Sequence, residues 1–127
     1  MNENEIGNLV VDTAVEIHKE LGPGLLESVY EAILARELER KGLAVKRQVV
    51  VPIEFRGMRF DEGFRADLIV EGKVVVELKS VDTINRAHQK QVLTYLKLTG
   101  CKLGCLLNFG EALMKNGITR VINGKIQ

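Results

Sequence analysis

Between Phe64 and Lys79 the chain alternates in a way that leaves few folds open. Phe64, Ala66, Leu68 and Val70 alternate with Arg65, Asp67 and Ile69, and Glu71-Gly72 then offers a tight reversal. The pattern resumes with Val74, Val76 and Leu78 on one face and Val75, Glu77 and Lys79 on the other, because successive side chains on a strand point to opposite sides. Two strands joined by so short a turn must lie side by side and antiparallel. Asp67 is thereby brought near the strand that carries Glu77 and Lys79. Charges in the middle of an otherwise apolar strand are costly to bury unless they are paired or bind a metal.

The flanking segments supply the rest of the fold. Residues 3–21 place Ile6, Leu9, Val10, Thr13, Ala14, Ile17 and Leu21 at helical spacing, with Glu16, Lys19 and Glu20 on the other face. Gly22-Pro23-Gly24 stops that helix. A second helix is expected from Leu25 to Lys41, with Leu26, Val29, Tyr30, Ile33, Leu34 and Leu38 inward and Gly42 as its stop. Val45 to Phe55 is β-branched and extended, and Pro52 marks an edge or a bulge. Gly57 allows a turn, after which Met58 to Phe60 continues a hairpin. Ser80 or Asp82 can cap a third helix that ends at Thr99-Gly100. Leu103 to Phe109 is a short apolar strand, and 111–123 reads as a helical turn followed by a strand from Ile118 to Ile122. The order α-α-β-β-β-α-β-(β), without repeat or linker, predicts a mixed sheet flanked by helices in one α/β domain spanning 1–127.

Bulk properties narrow the class. The 127 residues suffice for a core without disulfide staples, and 46% hydrophobic with 28% charged residues is ordinary for a globular protein. No apolar run approaches the ~20 residues that a membrane-spanning helix needs. Met1-Asn2-Glu3-Asn4-Glu5 is acidic and polar rather than basic and then apolar, so it does not read as a secretory signal, and the expected location is cytoplasmic. The net charge is +1. Duplex-binding domains usually carry a clear positive excess, so a tight free-standing DNA binder is disfavoured, while an enzyme with local or metal-delivered positive charge is not.

The Asp67, Glu77 and Lys79 set suits a hard cation such as Mg²⁺, which takes one or two carboxylates and keeps several waters. Such an ion polarises a phosphoryl group and acidifies a water, and a lysine beside it stabilises charge that develops in the transition state. The bland alternative for a Glu-x-Lys pair is a solvated sheet face. Cys101 and Cys105 lack a second pair of ligands at zinc spacing and read as small buried residues. No Gly-rich phosphate loop, Gly-x-Ser-x-Gly elbow or dinucleotide fingerprint is present. His88, Gln91 and Tyr95 share a face of the third helix, which follows the Glu-x-Lys strand directly and can lie over the cluster. Glu27 falls in the first turn of the second helix, where the dipole favours an anion.

Gly24, Glu27 and Tyr30 match the motif of the GxxExxY family, a branch of the PD-(D/E)XK nuclease superfamily, and the resemblance runs from the first helix through Asn123. Phe64-Arg65-Ala66-Asp67-Leu68 and Val76-Glu77-Leu78-Lys79-Ser80 resemble the central strands of that superfamily. Gln91-Val92-Leu93-Thr94-Tyr95 is similar to the Gln-x-x-x-Tyr motif of its exonuclease-like members. One departure is Ala66, where the name-giving motif has a proline that is not a ligand. The resemblance implies a restriction-endonuclease-like fold, with Mg²⁺ or Mn²⁺ held by Asp67 and Glu77, Lys79 catalytic, and Glu27 an accessory acidic residue toward the metal. It further implies that Gln91 and Tyr95, with His88 on the same face, place the nucleic acid or the lysine.

The expected activity is therefore a metal-dependent phosphodiesterase acting on nucleic acid, DNA first, with exonuclease-like action from strand ends as one option. The competing expectation is a catalytically weak module of nuclease fold that binds nucleic acid or a protein. Partners implied beyond the nucleic acid are a second copy of the chain or a different protein. No membrane is implied.

Overall fold

The computed structural model describes residues 1–126. Helices α1 (Glu3–Leu21) and α2 (Glu27–Arg40) precede a long hairpin, β1 (Val45–Phe55) and β2 (Met58–Val70). Strand β3 (Val74–Lys79), helix α3 (Arg86–Thr99) and strand β4 (Leu103–Asn108) follow, then a single 3-10 turn at Met114–Asn116 and strand β5 (Ile118–Ile122). The five strands form one sheet in chain order, β1-β2-β3-β4-β5. Only β3 and β4 run parallel, because α3 carries the chain back across the sheet between them. The other three pairings are antiparallel. This is the mixed sheet between helical layers that the element order predicts.

Two cores lie on its two sides. Ile6, Val10 and Ala14 of α1 and Tyr30, Leu34 and Leu38 of α2 pack on Leu68, Val74, Val76, Leu78, Leu103 and Leu107. Val92, Tyr95 and Leu96 of α3 pack on Val51, Ala66, Val75 and Leu106. Strand β3 thus serves both, with Val74, Val76 and Leu78 turned one way and Val75 the other, as alternation requires. Among the described residues no helix is long and apolar enough to cross a membrane.

Several local expectations are corrected. Helix α2 begins at Glu27 rather than Leu25, and Leu26 and Val29 point outward at 72% and 39% exposure. The inward stripe is Tyr30, Glu31, Leu34, Ala35 and Leu38, so a carboxylate occupies a place that apolar counting assigns elsewhere. Helix α3 is capped by neither Ser80 nor Asp82. Asn85 is its cap, its side chain accepting from His88 N–H while the His88 ring accepts from the Asn85 N–H. β2 is one continuous strand, not two segments, because Pro52 is absorbed by a register shift between Val51 and Ile53 on the edge strand. Finally, Ala66 and Leu68 have the same parity yet serve different cores. The hairpin must therefore kink at Asp67, and Gln48, which faces Asp67 across the pair, has φ +50° and drops out of the ladder.

Loop 80–85 is tied down by Asn108, which is fully buried. Its Oδ1 accepts from the N–H groups of Val81 and Gly110, at 3.1 and 3.0 Å, and its Nδ2 donates to Val81 C=O at 2.8 Å. Phe109 N–H adds a bond to Lys79 C=O. The end of β3 is thus held against the end of β4.

Candidate active site

The β2–β3 ladder stops at Leu68 opposite Val76. At the next position Asp67 faces Glu77, and the strands exchange side-chain bonds instead of main-chain ones. Asp67 N–H donates to Glu77 Oε1 at 2.9 Å, and Leu78 N–H donates to Asp67 Oδ2 at 2.9 Å. Each carboxylate satisfies a donor that the end of the ladder leaves over. Lys79 follows on the same strand, half-buried and in register with Asn108.

The electrostatics show how tightly the pair is held. Glu77 is 3% exposed, and its pKa is pushed up to about 8, first by burial and then by the charge of Asp67. The Asp67 N–H bond and the Lys79 charge act in the opposite direction without offsetting these. Two carboxylates this close favour sharing a proton or a cation. The Tyr95 phenol is pushed up to about 12 by burial and then by the charges of Glu77 and Asp67, which puts it in the field of the cluster. Its ring meets Phe64 edge-on at 5.0 Å.

The other expected site residues divide. Gln91 is half-buried one turn before Tyr95 on α3. His88 is one turn earlier still, and its Nδ1 is committed to the Asn85 N–H; the structure uses that atom for the helix cap. Glu27 does not join the carboxylate pair. Its Oε1 accepts from Ser80 N–H at 3.2 Å, while Ser80 Oγ donates to Leu25 C=O at 3.1 Å. Glu27 thus meets the chain one residue beyond Lys79, beside an open cleft of about 680 Å³ lined by Gly24, Leu25, Leu26, Glu27, Ser28 and Ser80.

The Gly24, Glu27 and Tyr30 spacing has a physical explanation. Gly24 sits at φ +111°, where a side chain is strained. The Tyr30 hydroxyl donates to Gly22 C=O and accepts from Leu25 N–H, and its ring stacks on Phe109 at 4.3 Å. The three residues together fasten the α1–α2 turn to the end of β3. Tyr30→Phe is expected to cost about 1–3 kcal/mol, since it leaves a main-chain donor and acceptor unpaired near the core. Urea unfolding measures it, and a loss below about 0.5 kcal/mol would mean that water replaces the hydroxyl.

Periodicity missed a second carboxylate. Glu31 is 5% exposed and is held by Arg47 Nε and Nη2, at 3.1 and 3.0 Å, and by Gln48 Nε2 at 2.6 Å. The available signal was an acidic residue inside the apolar stripe of α2, adjacent to Tyr30; Gln48 has no local signal. Among the described residues, no three His, Cys, Asp or Glu side chains come together at metal-binding spacing. The cluster is a carboxylate pair of hard oxygen donors, a set that suits a cation retaining much of its water.

A kinked hairpin bearing Asp67, a central strand bearing Glu-x-Lys and a covering helix define a nuclease-type α/β fold. The chain belongs to the PD-(D/E)XK nuclease superfamily, whose family model matches residues 4–121. Comparisons with curated proteins and with solved structures returned no match.

Proposed function

We propose that this protein is a Mg²⁺- or Mn²⁺-dependent phosphodiesterase that cleaves DNA. The observation that carries the reading is the reciprocal bonding of Asp67 and Glu77 at the end of the β2–β3 ladder, with Lys79 two residues further on. Asp67 and Glu77 would hold the cation. Bound there, it supplies Lewis acidity toward a phosphoryl oxygen and lowers the pKa of a water.

The chain's own groups do the rest. Lys79 presents a positive charge to the attacking water and to the phosphoryl oxygens as they gain charge. Tyr95, in the field of the cluster, and Gln91, one turn earlier on α3, would place the polymer backbone. His88, with Nδ1 occupied, retains Nε2 for a phosphate contact. Glu27 acts through Ser80, fixing the strand end that carries Lys79, which makes it a positioning residue rather than a metal ligand. The linked Gly24, Glu27 and Tyr30 contacts support membership of the GxxExxY branch, and the Gln91 to Tyr95 spacing supports exonuclease-like action from strand ends.

The test is cleavage of end-labelled single- and double-stranded DNA, with single-stranded RNA in parallel. Wild type and Asp67→Asn are compared in Mg²⁺, Mn²⁺ and EDTA. Metal-dependent cleavage is expected from wild type and a loss of a hundredfold or more from Asp67→Asn, as for other groups that organise charge at a reacting centre. No metal-dependent cleavage of any polymer would sink the reading. It would favour a nuclease-fold module that binds without turnover, a reading to which the net charge of +1 lends weight.

A further inference from the structure

Gln48 stands in the left-handed region at φ +50° within a strand. Glutamine has no intrinsic preference for that conformation, and a non-glycine residue is held there only when its surroundings demand it. The consequence of the kink is visible in the side chain. Nε2 donates to Glu31 Oε1 at 2.6 Å and to Asp67 Oδ1 at 3.3 Å. Glu31 is buried on α2 and is itself anchored by the Arg47 guanidinium. A regular strand residue opposite Asp67 would not also reach a helix on the other side of the sheet. The strained backbone is what lets one amide serve both.

We infer that Gln48 is a positioning residue for the metal site, its amide joining Glu31 of α2 to Asp67 and fixing the rotamer in which Asp67 faces Glu77. The inference rests on the proposed metal-binding role of Asp67 and Glu77. With Oδ2 tied to Leu78 N–H and Oδ1 to the Gln48 amide, the Asp67 carboxylate cannot rotate, and each oxygen keeps a lone pair for a cation. Without Gln48 one oxygen is released, and metal binding must then order it. Hydrogen-bonded partners of ligating groups commonly set metal affinity by ten- to a hundredfold.

Glycine separates this role from a purely structural one, because it tolerates φ +50° without strain. The experiment titrates Mn²⁺ into the full chain by calorimetry and follows thermal unfolding in EDTA and in Mn²⁺. Gln48→Gly relieves the backbone strain but leaves the buried Glu31 to Arg47 alone, so it should unfold somewhat below wild type in EDTA and should bind Mn²⁺ at least tenfold more weakly. Gln48→Glu places a third carboxylate between Glu31 and Asp67, so it should unfold at a lower temperature in EDTA and gain more than wild type from Mn²⁺. If Gln48→Gly binds Mn²⁺ as tightly as wild type, the residue serves the kink alone and the inference is overturned while the metal site stands. If wild type binds no Mn²⁺, the metal site falls and this inference falls with it.

Discussion

Replacing Lys79 by alanine is expected to lower phosphodiester cleavage by at least two orders of magnitude while leaving metal binding intact or tighter. Lysine is not a ligand. Its charge lies beside Glu77, where it favours the ionised carboxylate, and a divalent cation at the pair is repelled by it. Removing the ammonium therefore lifts a repulsion from the cation and takes away a preorganised charge from the transition state. Groups of that kind are worth about 10²–10³ in rate. The check is cleavage of labelled DNA in Mg²⁺ or Mn²⁺, with metal affinity measured on the same preparations. Equal rates in the two proteins would trace cleavage to a copurified nuclease. A parallel loss of metal affinity would make Lys79 part of the scaffold that holds the carboxylates.

The metal-free protein is expected to lose stability as pH rises from acid to mildly alkaline. The Glu77 carboxyl has its pKa raised to about 8 from an ordinary 4.5. A group that holds its proton more tightly when folded stabilises the folded state fully below its unfolded pKa. That contribution shrinks between pH 4.5 and about 8 and is gone above the folded value. A shift of this size is worth on the order of a few kcal/mol. Urea unfolding in EDTA across this range should show the decline, and Mg²⁺ or Mn²⁺ should restore stability at the alkaline end by binding the folded state. Glu77→Gln keeps an acceptor for Asp67 N–H and removes the charge, so its profile should be flatter. If wild type and Glu77→Gln follow the same pH profile, the ionisation of Glu77 does not govern stability.

Both expectations depend on residues that could be read from the chain, and the reason is local. Glu71-Gly72 forces adjacent antiparallel strands, and alternation then puts Asp67 opposite Glu77 and turns Val75 away from Val74, Val76 and Leu78. The helices were legible for a similar reason: a stripe of apolar residues every three to four positions, stopped by Gly22-Pro23 and Gly100, leaves little choice of state. The Gln91 and Tyr95 spacing likewise specifies one helix face, and α3 packs Tyr95 on Val75 and Ala66, within the field of the pair, because a crossover helix returns over the strand it follows.

What the chain did not disclose depends on contacts between distant segments. Apolar counting placed Leu26 and Val29 inside and passed over Glu31, because a periodicity of hydrophobic residues cannot represent a carboxylate whose burial is compensated by Arg47 and Gln48 on another element. For the same reason the bond from Ser80 N–H to Glu27 was not legible: sequence places Glu27 in a first turn, whereas the direction of that turn is settled by Tyr30 bonding to Gly22 and stacking on Phe109. The capping of α3 by Asn85, with the His88 ring committed to it, turned on where loop 80–85 could run once Asn108 had taken hold of Val81. Local sequence determined the elements, their order and the facing of Asp67 and Glu77, because turn geometry and alternation act over a few residues. The kink at Gln48 and the buried tie to Glu31 were decided only by tertiary structure, because a strained backbone persists where packing from both sides of the sheet outweighs its cost.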